Sequence, residues 1–197
     1  MNDAAHILSW VSSFMDRLNI PWALVGGWAV SIRTEPRFTR DIDIIIATDT
    51  DMDAEGIIQQ FISAGFSPQA IVEQDAVKRL ATVRLRPPSK EPTGMLLDVL
   101  FASSGIEQEI CKEAEILECF PGIHVPVARL EHLLALKILA RDDRERPQDI
   151  GDIHAMLRVM TEKERERTRT LLQHITTRGF HRQRDLAALF EELVTPL

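Results

Sequence analysis

The run Asp41-Ile42-Asp43-Ile44-Ile45-Ile46 constrains this chain more than any other stretch. Side chains alternate along a β-strand, so both aspartates fall on one face and Ile42 on the other. Two carboxylates then share one pocket and repel each other unless a cation neutralises them. Hard oxygen ligands suit Mg²⁺, which takes one or two carboxylates together with substrate phosphates. A third carboxylate, Asp98, lies in the apolar run Met95-Leu96-Leu97-Asp98-Val99-Leu100-Phe101. On a neighbouring strand it would permit two metals, about 3.5–4 Å apart, clamping the attacking and leaving oxygens of an in-line displacement. Asp41, Asp43 and Asp98 are therefore the expected metal ligands.

A glycine pair stands upstream. Trp22-Ala23-Leu24-Val25 reads as a short strand, followed by Gly26-Gly27 and a helix from Trp28 to Arg33. Glycines at that junction allow a tight turn and let backbone N–H groups approach phosphate oxygens at a helix start. Each motif alone is more often structural or incidental. Their order and spacing, with apolar flanks, point to nucleotidyl transfer.

The stretch Val25-Gly26-Gly27, thirteen residues, then Asp41-Ile42-Asp43-Ile44 resembles the signature of the DNA polymerase beta-type nucleotidyltransferases, with Asp98 matching their third carboxylate. Within that superfamily the chain is most similar to the branch of AbiEii-type toxins of type IV toxin–antitoxin systems. The resemblance is carried by Arg37-Phe38-Thr39-Arg40-Asp41-Ile42-Asp43, by Lys137-Ile138-Leu139-Ala140-Arg141-Asp142-Asp143-Arg144 and by Pro147-Gln148-Asp149-Ile150-Gly151-Asp152-Ile153, and spans roughly residues 20 to 155. It implies an α+β fold: a polymerase beta-like core over 1–129, with a mixed sheet flanked by helices, and a C-terminal helical region over 130–197 that completes the site. It implies an NTP as substrate, two Mg²⁺ ions, and triphosphate binding by Gly26, Gly27, Thr39, Arg40, Lys137 and Arg144.

Residue chemistry gives these positions alternative readings. Lys137 sits in the apolar run Leu130 to Ala140, where a lysine either snorkels to water or binds phosphate; the resemblance favours phosphate. Asp149 and Asp152 stand at i, i+3 on a helix after Pro147 and share a face. Asp149 is also favoured by the helix dipole alone. The resemblance makes one of the two, expected to be Asp149, an active-site residue that orients Lys137 or Arg144. Thr39 is either a phosphate ligand or a loop hydroxyl. Arg84 and Arg86 share a strand face, toward the site or toward solvent.

The rest of the chain reads as an amphipathic opening helix with Asn2 or Asp3 as cap, a helix from Ala54 to Ala64 stopped by Gly65, and strands near 71–73, 78–86 and 95–101. A helix is expected over Ile106 to Cys119, a short edge strand at His124-Val125-Pro126-Val127, and helices beyond Leu130. Cys111 and Cys119 on one helix would lie about 12 Å apart, too far to bridge, and read as reduced thiols of a cytoplasmic protein. The six histidines are scattered without Cys/His spacing, so zinc is not expected. No apolar run approaches the ~18 residues of a membrane span, and a basic-then-apolar secretion signal is missing from the first residues.

Net charge is −7 over 197 residues, which argues against broad nonspecific nucleic-acid binding, and no DNA duplex is expected as partner. Between Arg158 and Arg184, however, eight Lys or Arg meet three Glu. Lys163 to Arg169 alternates in sign, as a solvated helix face does. Arg178-Gly179-Phe180-His181-Arg182-Gln183-Arg184 places basic residues beside an aromatic and is the better RNA-contact candidate. The expected reaction moves a nucleoside monophosphate to an acceptor hydroxyl. In the toxin-like reading that acceptor is RNA, at a tRNA 3′ end, and an antitoxin protein restrains the enzyme. Gly26-Gly27-Trp28-Ala29 also resembles aminoglycoside and lincosamide nucleotidyltransferases, which modify small molecules. A third reading is a nucleotide-binding module without catalysis.

Overall fold

In a computed structural model, residues 3–74, 78–88, 94–141 and 148–195 are described. The chain opens with α1 (Asp3–Leu18), β1 (Trp22–Val25), α2 (Gly26–Arg33) and β2 (Asp41–Ile46). It continues through α3 (Asp51–Ser63), β3 (Ser67–Gln74), β4 (Arg79–Arg86) and β5 (Leu96–Leu100). Next come α4 (Glu107–Glu113), β6 (Glu115–Phe120) and β7 (Ile123–Val127). The helices α5 (Leu130–Ala140), α6 (Gln148–Val159), α7 (Glu162–Thr177) and α8 (Leu186–Val194) follow. The seven strands form one mixed sheet in the order β3-β4-β5-β2-β1-β7-β6, an α+β architecture as expected.

The isoleucine-rich strand is the fourth of the seven, at the centre of the sheet. Ile42, Ile44, Ile45 and Ile46 are fully buried, whereas Asp41 and Asp43 stay partly open at the strand's beginning. A central strand needs apolar side chains on both faces, which is why the polar alternation stops after Asp43. β2 pairs antiparallel with β1, setting Asp43 opposite Val25, and parallel with β5, setting Asp43 opposite Asp98. β5 pairs antiparallel with β4, setting Asp98 opposite Arg84.

Helices close over the sheet through apolar faces. Trp10 and Phe14 of α1 meet Phe61 of α3 and Phe66, with ring centroids 4.6 to 5.8 Å apart. α3 starts at Asp51, three residues earlier than its periodicity suggests. Thr50 caps it, accepting a bond from the Asp53 N–H while the Asp53 carboxylate accepts from the Thr50 N–H. α5 packs on α7, α6, α2 and α8, so the C-terminal helices join the core through it.

Two expectations fail in one place. Residues 106–119 are not a single helix: α4 ends at Glu113, Ala114 is extended (ψ 144°), and Glu115–Phe120 pairs antiparallel with β7. Ile110, Cys111, Ala114 and Leu117 fit a helical spacing, but the open edge of the sheet recruits the second half as a strand. β7 is therefore interior, parallel to β1 on one side and covered by β6 on the other. Cys119 lies on β6 and Cys111 on α4. Both thiols are free, and burial raises them to about 11 and about 12 respectively, which leaves them poor nucleophiles. Among the described residues no helix is long and apolar enough to cross a membrane.

Candidate active site

A cavity of about 630 Å³ opens where β1, β2 and β5 end against α5 and α6. Gly26, Gly27, Asp43, Asp98, Lys137 and Asp149 line it together with Arg84. Residues more than a hundred positions apart in the chain thus converge on one space.

Gly26 is required by this geometry. Its φ is +64°, and a Cβ there would fall 2.0 Å from Asp43 Oδ2, so the carboxylate rests directly against the glycine. Gly26 begins α2, and the side chain of the preceding Val25 makes no capping bond. A helix start of this kind suits an anion, because its first N–H groups have no partner within the helix. Gly27 is equally confined: a Cβ would lie 2.8 Å from both Arg37 Nη2 and Thr39 Oγ1.

On the sheet side, Arg84 donates to both oxygens of Asp98, at 2.8 and 2.6 Å, and stands 3.7 Å from Asp41 Oδ2. The Asp98 bond, with the charges of Asp98, Asp41 and Asp43, raises the guanidinium beyond its usual range despite the opposing effect of burial. The strip of basic residues expected on this strand thus turns toward the site at Arg84, while Arg86 is exposed. The ligand oxygens of Asp41, Asp43 and Asp98 do not all come within 4.8 Å of one another, and Arg84 stands between Asp41 and Asp98. Carboxylates are the hard donors that Mg²⁺ takes, and these would suit it if Arg84 were displaced from Asp98.

On the helical side, Lys137 is 15 % exposed and donates to Asp149 Oδ1 at 2.5 Å and Asp152 Oδ2 at 2.8 Å. Both aspartates of the i, i+3 pair therefore hold the lysine, rather than one of them. Asp152 in addition accepts two bonds of 2.6 Å from Arg37, which reaches it from the loop before β2. Asp149 faces the cavity, and its Oδ2 is buried without a hydrogen-bond partner among the described residues. Burial would raise the Asp152 carboxyl, but the bonds from Arg37 and Lys137 overcome it and hold the group below its ordinary 3.8.

A carboxyl depressed by folding stabilises the native state above its unfolded value, and that stability is lost as pH falls through the folded one. Arg37→Gln is therefore expected to lower the urea midpoint above about pH 4 and to flatten its decline in acid. Parallel pH curves for the two proteins would show that the bond has no such effect.

Other expected site residues fall differently. Thr39 turns toward the Asp41 carbonyl at 3.5 Å, beside Gly27, and Arg40 is exposed and does not line the cavity. Arg144 lies outside the described residues. In the basic segment after α7, Arg178 is held by Glu109 at 2.6 Å and by the Gly105 carbonyl, and Arg184 donates to the carbonyls of Leu139 and Arg141. Phe180 is buried under Gly105 and offers no stacking platform. Only Arg182 of these basic residues lines the cavity, at an exposed position with φ +51°. Lys163 to Arg169 behaves as an ion-paired face, Arg169 meeting Glu162, Glu166 and Glu191.

Two site features escaped the sequence. Arg37 lacked any local signal for a partner 115 residues away. Ser103 and Ser104 also line the cavity, and each donates both its N–H and its hydroxyl to Glu107 Oε1, which fixes the turn after β5. The spacing Ser104-Gly105-Ile106-Glu107 resembles a helix-start signal and could have been noticed.

Comparison with solved structures agrees with this architecture. An antigenic nucleotidyltransferase-like protein from Paracoccidioides brasiliensis is similar over 95 % of this chain and 91 % of its own, at 23 % identity and a TM-score of 0.52. The structure of ANT(2")-Ia in complex with adenylyl-2"-tobramycin is similar over 90 % and 99 %, at 17 % identity and a TM-score of 0.62. Identities this low establish a shared fold. No curated protein matches the sequence. The family model described as nucleotidyl transferase AbiEii toxin, type IV TA system, matches residues 14–196. Nearly the whole chain is covered, and the protein belongs to the AbiEii nucleotidyltransferase toxin family.

Proposed function

We propose that this nucleotidyltransferase moves a nucleoside monophosphate from an NTP to a hydroxyl of RNA, at a tRNA 3′ end, and releases pyrophosphate. The observation that carries the reading is the convergence, on one cavity, of Asp43 and Asp98 from β2 and β5, the glycine start of α2, and Lys137 clasped by α6. Asp41 and Asp43 would hold Mg²⁺, with Asp98 completing a second site once Arg84 lets go. Bound Mg²⁺ supplies charge neutralisation for the triphosphate and the departing pyrophosphate. The N–H groups of Gly26 and Gly27 would face phosphate oxygens, and Lys137 would contribute a positive charge held in place by Asp149 and Asp152. Catalysis is then mostly positioning and electrostatics, as is usual for phosphoryl chemistry. The region 130–197 completes the site, since Lys137, Asp149 and Arg182 all come from it.

The toxin family assignment favours RNA over a cationic antibiotic as acceptor, although the fold suits both. The family assignment supports restraint of the enzyme by an antitoxin protein. An acceptor competition tests the proposal: the protein, Mg²⁺ and α-labelled NTPs are offered total RNA and an aminoglycoside together. Label in a tRNA-sized band is the expected result. Label on the aminoglycoside alone would replace the RNA reading by the small-molecule one, and label on neither acceptor, with NTP still bound, would favour a module without catalysis.

A further inference from the structure

Beyond the cavity, α4 ends and α5 begins at a second convergence of ligating side chains. We propose that Glu113, Glu131 and His132 form a metal site of their own, suited to zinc or a similar transition-metal dication. One ligand atom from each lies within 4.8 Å of the other two, and none of the three residues lines the cavity described above.

The imidazole carries the inference. His132 is completely buried, and neither ring nitrogen has a hydrogen-bond partner among the described residues. A buried polar ring without partners is costly unless something else satisfies it. Its Nε2 faces Glu113 Oε2 at 3.8 Å, too far for a hydrogen bond. Zinc lies about 2.0–2.2 Å from nitrogen and oxygen donors, so two ligands of one tetrahedral ion stand about 3.4 Å apart. The observed 3.8 Å is a few tenths of an ångström wider, a difference a small side-chain movement closes.

The surroundings match a metal site as well. Arg167 takes Glu113 Oε1 at 2.5 Å, leaving Oε2 for a ligand while fixing the carboxylate's orientation. Arg129 donates to the Glu113 carbonyl at 2.9 Å and pairs with Glu115 at 3.3 Å, and Arg33 pairs with Glu115 at 2.9 Å, so the two other cations near His132 are engaged elsewhere. Glu131 is only 6 % exposed and brings the second carboxylate. One nitrogen and two carboxylates select zinc over Mg²⁺, which prefers an all-oxygen octahedron. An ion here would tie the last turn of α4 to the first turn of α5, the helix that presents Lys137. The absence of Cys/His spacing hid this site because its ligands come from separate elements.

The test uses the full chain stripped with a chelator and titrated with Co²⁺ in excess Mg²⁺. One Co²⁺ per chain is expected, displaced by Zn²⁺. The same stoichiometry is expected in Asp43→Asn, with affinity weakened at least about tenfold in Glu131→Gln and Glu113→Gln. Zn²⁺ should raise the thermal midpoint of the unsubstituted protein and leave that of Glu131→Gln unchanged. Failure of the unsubstituted protein to bind Co²⁺ under these conditions would overturn the proposal whatever the variants do. So would binding that is lost in Asp43→Asn and retained in Glu131→Gln.

Discussion

Asp43→Asn is expected to reduce nucleotidyl transfer by about 10²–10³, the scale of losing one preorganised electrostatic stabiliser of the transition state. The substitution is nearly isosteric, so the amide still fits beside Gly26, where a bulkier group would collide. What disappears is a negative charge opposite Asp98 on the adjacent strand. With one carboxylate fewer, Mg²⁺ binds more weakly, and the loss should persist partly at saturating metal because the remaining ligands no longer fix its position. Stability should change little, since relief of the repulsion from Asp41 and Asp98 is offset by the lost attraction to Arg84. Unchanged turnover in a folded Asp43→Asn protein would remove this carboxylate from the mechanism.

Lys137→Met should be damaging twice over. The methionine preserves the apolar stem against α5's neighbours but leaves the buried Asp149 without its cation, while Asp152 keeps Arg37. Removing one partner of a buried pair costs about 3–5 kcal/mol. Transfer should also fall by about a hundredfold or more if the ammonium meets the triphosphate. The double variant Lys137→Met, Asp149→Asn separates the two effects, because removing both charges leaves no orphan. Its urea midpoint should return toward that of the unsubstituted protein while transfer stays low. Recovery of transfer along with stability would show that Lys137 acts only by holding the fold.

Much of the site could be read from the chain because its parts obey local rules. Two aspartates separated by one isoleucine must share a strand face, a glycine pair before a helix start marks a turn with free N–H groups, and Asp98 in an apolar run must sit on a buried neighbouring strand. The lysine within the apolar helix and the i, i+3 aspartates were legible for the same reason. Harder to read was anything decided by pairing across the sheet or between distant elements. Arg84 finds Asp98 only because the β4/β5 register places them opposite each other. Arg37 and Asp152 meet through the packing of α6 near α2. The segment 106–119 satisfies a helical period as well as a strand, and the unpaired edge of β7 decided between them. Phe180 looked like a platform for RNA because its position after a helix break says nothing about which way the chain turns next.

The most direct test of the central claim compares one NTP labelled at the α-phosphate with the same NTP labelled at the γ-phosphate, each incubated with the protein, Mg²⁺ and total RNA. Nucleotidyl transfer from a metal-dependent site predicts that α-label enters RNA, that γ-label leaves in pyrophosphate, and that a chelator abolishes both. Entry of γ-label into RNA, or α-label transfer undiminished by the chelator, would contradict it.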